Sequence, residues 1–300
     1  YPIKPAIESI LPVVDEMIIA LGKGDADDNT LELINSINSP KIKIIHTEWD
    51  IEKYPTGMEN AHQTDIAKQA CSGDWCLYVQ ADEVIHEDFL PVIEESCNKY
   101  VDDKRVDGFL FKYLHFYADY DHYNNAHGWY PREIRLVRND KDIHSYQSAQ
   151  SFRRIPNFDG LSYRKSAGTS VLNVVEIDAY IYHYGWVRPP KLMHKKNKAL
   201  ATVHKGETKA TEIYGEQDAY FDYGNLSKLP VFKGTHPKVM QEFIDNYNWA
   251  DQLNFDKNHK PNRQKMKHEK WKSKVQTYFE QNFLGGAQPL GYSNWKIIKP

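Results

Sequence analysis

An α/β fold with a mainly parallel sheet flanked by helices is what this sequence predicts, and three observations predict it. Short apolar runs alternate with helix-patterned stretches between Met17 and Val79, as strand–helix–strand units do. Glycine- and acid-bearing loops stop two of those runs. Beyond Asp107 the pattern changes to longer strands with aromatic residues at alternate positions, which predicts a mixed second half.

The elements follow in order. Ile7 to Val14 reads as a short helix, and Met17 to Leu21, between Asp15-Glu16 and Gly22, as a buried strand. In the loop Gly22 to Thr30 the glycines break the strand, and Asp28 or Asn29 can cap a helix striped by Leu31, Ile34 and Ile37. Lys41 to His46 gives a second strand, Ala61 to Ala70 a helix, and Trp75 to Val79 a third strand running into Gln80-Ala81-Asp82-Glu83. Ligands of open α/β sheets bind beyond the carboxyl ends of strands, so the acidic loops Asp25 to Asp28 and Asp82-Glu83 are expected to share one site. Phe109, Phe111, Tyr113, His115 and Tyr117 share one face of a later strand, and Ile134, Leu136 and Val171 to Ile181 mark others. Val239, Met240, Phe243, Ile244 and Tyr247 fall at helical spacing, and a basic segment, Arg263 to Lys274, follows. Residues 1–230 are expected as the sheet domain and 231–300 as a helical extension packed on it.

Composition narrows the function. A net charge of -3 and a pI near 6.5 argue against a nucleic-acid partner, which calls for a basic excess. Three cysteines, Cys71, Cys76 and Cys97, have neither the count nor the spacing of a disulfide framework or a structural zinc site, so a reducing, cytoplasmic setting is expected. No apolar run reaches the ~20 residues of a transmembrane helix, which leaves peripheral membrane contact open. The Tyr, Phe and Trp content would suit sugar-ring stacking and equally suits core packing.

Asp82 leads the candidate residues. A carboxylate ending a buried strand needs compensation, and a divalent cation or the start of the next helix can supply it; position alone does not choose. His183 ends a strand whose alternation puts it with Ile177, Ala179 and Ile181, so it reads either as a ligand or as a core histidine. The basic run Arg188, Lys191, His194, Lys195 and Lys196 could neutralise a diphosphate or simply be a solvated helix face.

The run Asp74-Trp75-Cys76-Leu77-Tyr78-Val79-Gln80-Ala81-Asp82-Glu83 resembles the strand and acidic motif of family 2 glycosyltransferases with the GT-A fold. Asp25 to Thr30, Asn60 to Ala67, Trp129-Tyr130-Pro131 before Arg135 to Arg138, and Tyr182-His183-Tyr184-Gly185 agree in order and spacing. Together these landmarks span roughly Asp15 to Lys196. The resemblance implies a GT-A Rossmann-like sheet and transfer of a sugar from a nucleotide-sugar donor, a UDP-sugar first among them, to a carbohydrate or glycolipid acceptor, with inversion. It makes Asp82 the principal ligand for Mn²⁺ or Mg²⁺ and His183 a second one, and it puts Asp25 and Asp28 about the donor, where Gln80, Glu83 and Lys191 are further candidates.

Two departures accompany it. Gln80 stands where family members commonly carry Asp, and the family's base-contacting first strand is missing ahead of Tyr1, which leaves nucleotide identity open. An inverting transfer also needs a carboxylate base on the acceptor side. Glu133 is the first choice and Asp121 or Asp119 the next, with a salt bridge to Arg132, Arg135 or Arg138 as the alternative for Glu133. Trp129 and Tyr130 are candidates for an acceptor platform. The competing readings are a non-catalytic carbohydrate-binding protein and a sugar nucleotidyltransferase; for the latter, Gly22-Lys23-Gly24 is too short and the loop after it too acidic to hold a triphosphate.

Overall fold

The computed structural model describes residues 1–215 and 220–299. Helix α1 (Ile3–Ile10) leads to strand β1 (Met17–Gly22), helix α2 (Thr30–Ser36) and strand β2 (Ile42–Thr47). β1 and β2 pair in parallel from Met17↔Ile42 to Gly22↔Thr47, with α2 as the crossover. Helix α3 (Met58–Gln69) then precedes β3 (Trp75–Leu77), β4 (Glu83–Ile85) and helix α4 (Leu90–Tyr100). The short helical turn ahead of α4 is capped by His86, whose Nδ1 accepts from the Asp88 amide at 3.2 Å, so Asp82 is not the capping residue there.

The second half supplies β5 (Gly108–Tyr117), β6 (Arg132–Arg138), the hairpin β7 (Ile143–Tyr146) and β8 (Ser151–Arg154), and the long β9 (Leu172–Trp186). Helices α5 (Pro190–Lys205), α6 (Glu207–Tyr214), α7 (Gln241–Asp245) and α8 (Trp271–Phe283) follow, and β10 (Trp295–Ile297) closes the chain. A six-stranded sheet runs β10-β9-β5-β6-β3, with β4 also on β9.

Two expectations are corrected here. The sheet is mixed: β5–β9 and β9–β10 are parallel, while β3–β6, β5–β6 and β4–β9 are antiparallel. The reason is that β5 returns to β6 through an irregular aromatic loop instead of a crossover helix, which permits only an antiparallel partner. The closing region is also not purely helical, since β10 joins the sheet edge beside Leu172–Val174.

β5 is buried on both faces. Phe109, Phe111 and Tyr113 pack with Ile85, Ile93, Leu136 and Ile181 on one side, and Leu110 with Ile134, Val137 and Val174 on the other. β1 behaves otherwise. Its apolar run is only half-buried along its whole length, because the edge away from β2 faces a cavity.

Arg135 on β6 is the largest fully buried side chain. It forks onto Glu83, with Nε to Oε2 and Nη2 to Oε1 both at 2.9 Å, and Tyr113 Oη donates to the same carboxylate at 2.8 Å. This pair ties β4 to the sheet beneath the candidate site. Arg135→Met strands a buried carboxylate and is expected to lower unfolding stability by roughly 3–5 kcal/mol, whereas Arg135→Met combined with Glu83→Leu recovers most of the loss. Denaturant melts check this; a single variant within about 1 kcal/mol of the parent contradicts it.

Candidate active site

A cavity of about 1470 Å³ lies between β1 and β3, walled by Met17 to Ala20 on one side and Trp75 to Ala81 on the other. Asp82, His183, Trp186 and Lys196 line the same cavity. Pairing of β4 with β9 sets Glu83 opposite His183, and the Tyr184 amide donates to the Asp82 carbonyl at 2.8 Å. Asp82 Oδ2 therefore comes within 3.8 Å of His183 Nε2 and 3.3 Å of Lys196 Nζ. Gly185 makes this approach sterically open, since a Cβ there would stand 2.6 Å from both Asp82 Oδ2 and His183 Nε2.

Hydrogen bonds fix the state of His183. β5 and β9 are parallel neighbours with His115 opposite His183, and their Nδ1 atoms lie 3.0 Å apart. His115 Nε2 is 2.8 Å from the Tyr130 carbonyl, which can only accept, so this nitrogen carries the proton. Burial holds His115 down to about 3, leaving it neutral with an accepting Nδ1. His183 Nδ1 must then donate, and burial likewise lowers the His183 pKa. The result is a neutral imidazole whose Nε2 lone pair faces Asp82.

Burial alone would raise the Asp82 pKa, but nearby positive charge, from His183 when it is protonated and from Lys196 and Arg188, more than offsets it and holds the carboxyl below its usual range. Burial lowers the Lys196 ammonium, with Asp82 opposing the shift, and Lys196 Nζ also donates to the Gly185 carbonyl at 2.6 Å. Arg188 stacks over the Tyr1 ring at 3.6 Å.

These donors fit a divalent cation as a two-ligand site. A gap of 3.8 Å is inside the roughly 4.2 Å that two ligands, each about 2.1 Å from one ion, can span. No group of three or more His, Cys, Asp or Glu side chains suited to a metal occurs among the described residues, so other coordination positions would fall to phosphate oxygens and water.

The other sequence candidates are placed as follows. Gln80 lines the cavity, with Nε2 donating to Tyr78 Oη at 3.0 Å. Glu83 is fully buried, and its oxygens are taken by Arg135, Tyr113 and the Gln80 amide, which leaves none for a donor. Asp25 and Asp28 lie in an exposed loop and do not line the cavity, so the two acidic loops are not brought together there; Asp28 accepts from the Thr30 amide at 2.9 Å. Lys191 is exposed on the first turn of α5 and does not line the cavity.

Glu133 and Asp121 do not line it either. Glu133 is fully buried: its Oε1 accepts from the Ile134 amide at 2.9 Å, its Oε2 has no partner, and desolvation pushes its pKa up to about 7. Among the described residues no salt bridge to Arg132, Arg135 or Arg138, the alternative for it, is present, and its burial sets it apart from the cavity wall. Asp121 is an exposed turn residue, and Asp119 braces that turn through the Asp121 and His122 amides. Trp129 and Tyr130 pack behind the site, Trp129 against Trp186 at 5.5 Å and Tyr130 against His115 at 4.7 Å.

Sequence reasoning offered Lys196 only as one of a basic run, from which Lys191 was singled out, and missed His115 as a site residue. Met193, Asn197 and Ala201 mark the buried stripe of α5, and Lys196 adjoins it while Lys191 does not; that spacing was the available signal. For His115 no signal existed, because its role depends on which strand β5 pairs with.

No protein-family model matches the sequence, and no curated protein matches it. Among solved structures the chain is similar to S. aureus TarS 1-349, at 14% identity over 72% of this chain and 67% of that one, with a TM-score of 0.35. The same TarS fragment in complex with UDP aligns at 14% identity over 71% and 66% of the two chains, TM-score 0.34. Its complex with UDP-GlcNAc aligns at 15% identity over 71% and 67%, TM-score 0.34. At this level the likeness assigns no activity to the present chain.

Proposed function

We propose that the chain is a glycosyltransferase that seats the diphosphate of a nucleotide-sugar over Asp82, His183 and Lys196. The observation that carries this reading is the meeting of a carboxylate, an unprotonated imidazole nitrogen and a lysine at the end of one large cavity. Asp82 and His183 would hold Mn²⁺ or Mg²⁺, which when bound supplies charge stabilisation to the departing diphosphate. Lys196 and Arg188 offset phosphate charge that two ligands alone leave uncompensated. Gln80 offers an amide to a donor hydroxyl, and UDP-sugars are the first donors to try.

A second reading is favoured by one observation: neither Glu133 nor Asp121 lines the cavity, so no acceptor-side base has been placed. A carbohydrate- or nucleotide-binding protein without turnover would look this way. Incubation with UDP-sugars, Mn²⁺ and a panel of sugar acceptors separates the two. Transfer or donor hydrolysis supports the enzyme, and binding without either supports the second reading.

Two variants bear on the site. Asp82→Asn is expected to weaken Mn²⁺-dependent nucleoside diphosphate binding on the order of 100-fold or more, with the melting temperature retained. Calorimetry showing parent-like affinity refutes the ligand role. His115 acts through His183, so His115→Phe is expected to weaken the same binding about 10- to 100-fold and to free His183 to take either tautomer. NMR of the imidazole nitrogens reads this directly, and an unchanged His183 signature counts against it.

Glu133 gives a pH prediction. Its pKa rises from 4.5 to about 7 on folding, so the folded state binds the proton more tightly. The stability this provides is whole below pH 4.5 and lost as pH rises through about 7, a change of roughly 3 kcal/mol. Glu133→Gln should remove that slope and gain on the parent across the same window; parallel stability curves for the two proteins would contradict the assignment.

A further inference from the structure

Helix α8 is amphipathic in the reverse of the usual sense. The face it turns to the protein is polar: Thr277 Oγ1 accepts from the His127 amide at 2.8 Å, and Glu280 Oε1 pairs with His127 Nδ1 at 2.8 Å. Gln281 Nε2 donates to the Asn125 carbonyl at 3.0 Å, and Ser273 is buried on the same side. With about 3.6 residues per turn, Trp271, Val275, Tyr278 and Phe279 fall on the opposite arc and Phe283 at its margin. They face solvent, Trp271 at 71%, Tyr278 at 60% and Phe283 at 66% exposure. A helix at a water interface ordinarily carries the opposite pattern. The apolar surface continues past the helix end at Leu284 and Leu290, the latter 80% exposed.

Charge says what covers this surface. Lys265, Lys267, Lys270, Lys272 and Lys274 are all exposed along the approach to α8 and its first turn. The two acids of the segment turn away from that collar: Glu269 bonds Arg263 at 2.7 and 3.0 Å, and Glu280 bonds His127. One sign of charge therefore rims an aromatic stripe in a chain of net charge -3. A second copy docking through the same patch would bring two lysine collars together, which disfavours a symmetric dimer. Trp and Tyr above a lysine rim instead match the headgroup region of an anionic bilayer.

We propose that α8, with the lysine segment before it, docks this protein on an anionic lipid surface, the helix lying in the interface plane. The seat of α8, residues 124–129, runs directly into Tyr130, whose carbonyl anchors His115, so docking would orient the Asp82 cavity relative to the membrane.

Cosedimentation of the full chain with vesicles tests this, using phosphatidylglycerol–phosphatidylcholine mixtures beside pure phosphatidylcholine. Binding to the anionic vesicles, weakened by salt and at least tenfold weaker on pure phosphatidylcholine, is expected. Lys270→Gln, Lys272→Gln and Lys274→Gln together should lower partitioning on the order of 100-fold, at roughly fivefold per lysine. Phe279→Ser with Phe283→Ser should abolish it while leaving the melting temperature in place, because both side chains are exposed. A vesicle-induced blue shift of tryptophan fluorescence, lost in Trp271→Phe while sedimentation persists, places the stripe in the lipid. The proposal is overturned if the parent fails to bind anionic vesicles, if either set of variants binds as well as the parent, or if the parent is a dimer that the Phe279 and Phe283 changes split.

Discussion

The pairing of β9 with β5 and β4 is the constraint on which the site depends. Along its inner edge β9 runs parallel to β5, which sets His115 against His183; along its outer edge β4 runs antiparallel and delivers Glu83 opposite that same histidine. Asp82, one residue before Glu83, is thereby brought to the cavity mouth. A one-residue slip in either ladder would turn His183 to the other face and separate all three groups.

Charge is graded across this ladder. Glu83 and Arg135 form a fully buried, bidentate pair that neutralises itself and holds β4 in place. One residue away, Asp82 has no such partner; its charge is met by a lysine on α5 at 3.3 Å, while the bare Nε2 of His183 faces it at 3.8 Å. The adjacent acids of one motif thus divide their work, one structural and one turned to the cavity. His115 contributes without touching the cavity, since its bond to the Tyr130 carbonyl determines which nitrogen of His183 is bare.

Much of this was legible in the sequence, and the reasons differ by residue. The β1–α2–β2 unit and the acid-ended strand at Trp75 could be read because hydrophobic runs and glycine breaks are local signals. Asp82 and His183 could be paired because a motif resemblance supplied a relation that spacing could not. Lys196 was hidden among similar lysines, and only the inward stripe of α5 distinguishes it from Lys191. Glu133 was misread for a physical reason: its strand position suggested an edge, whereas β8 and the closing segment around Tyr292 bury it. The antiparallel pairing of β3 was missed because its partner β6 lies in the second half of the chain, beyond the reach of local signals.

A cation shared by Asp82 and His183 is the centre of the proposed site, and pulsed electron paramagnetic resonance of Mn²⁺ with the protein and a nucleoside diphosphate tests it most directly. The account predicts modulation from one imidazole nitrogen together with phosphorus coupling, both disappearing when Asp82 or His183 is replaced. Bound Mn²⁺ showing phosphorus coupling but no nitrogen modulation would contradict it.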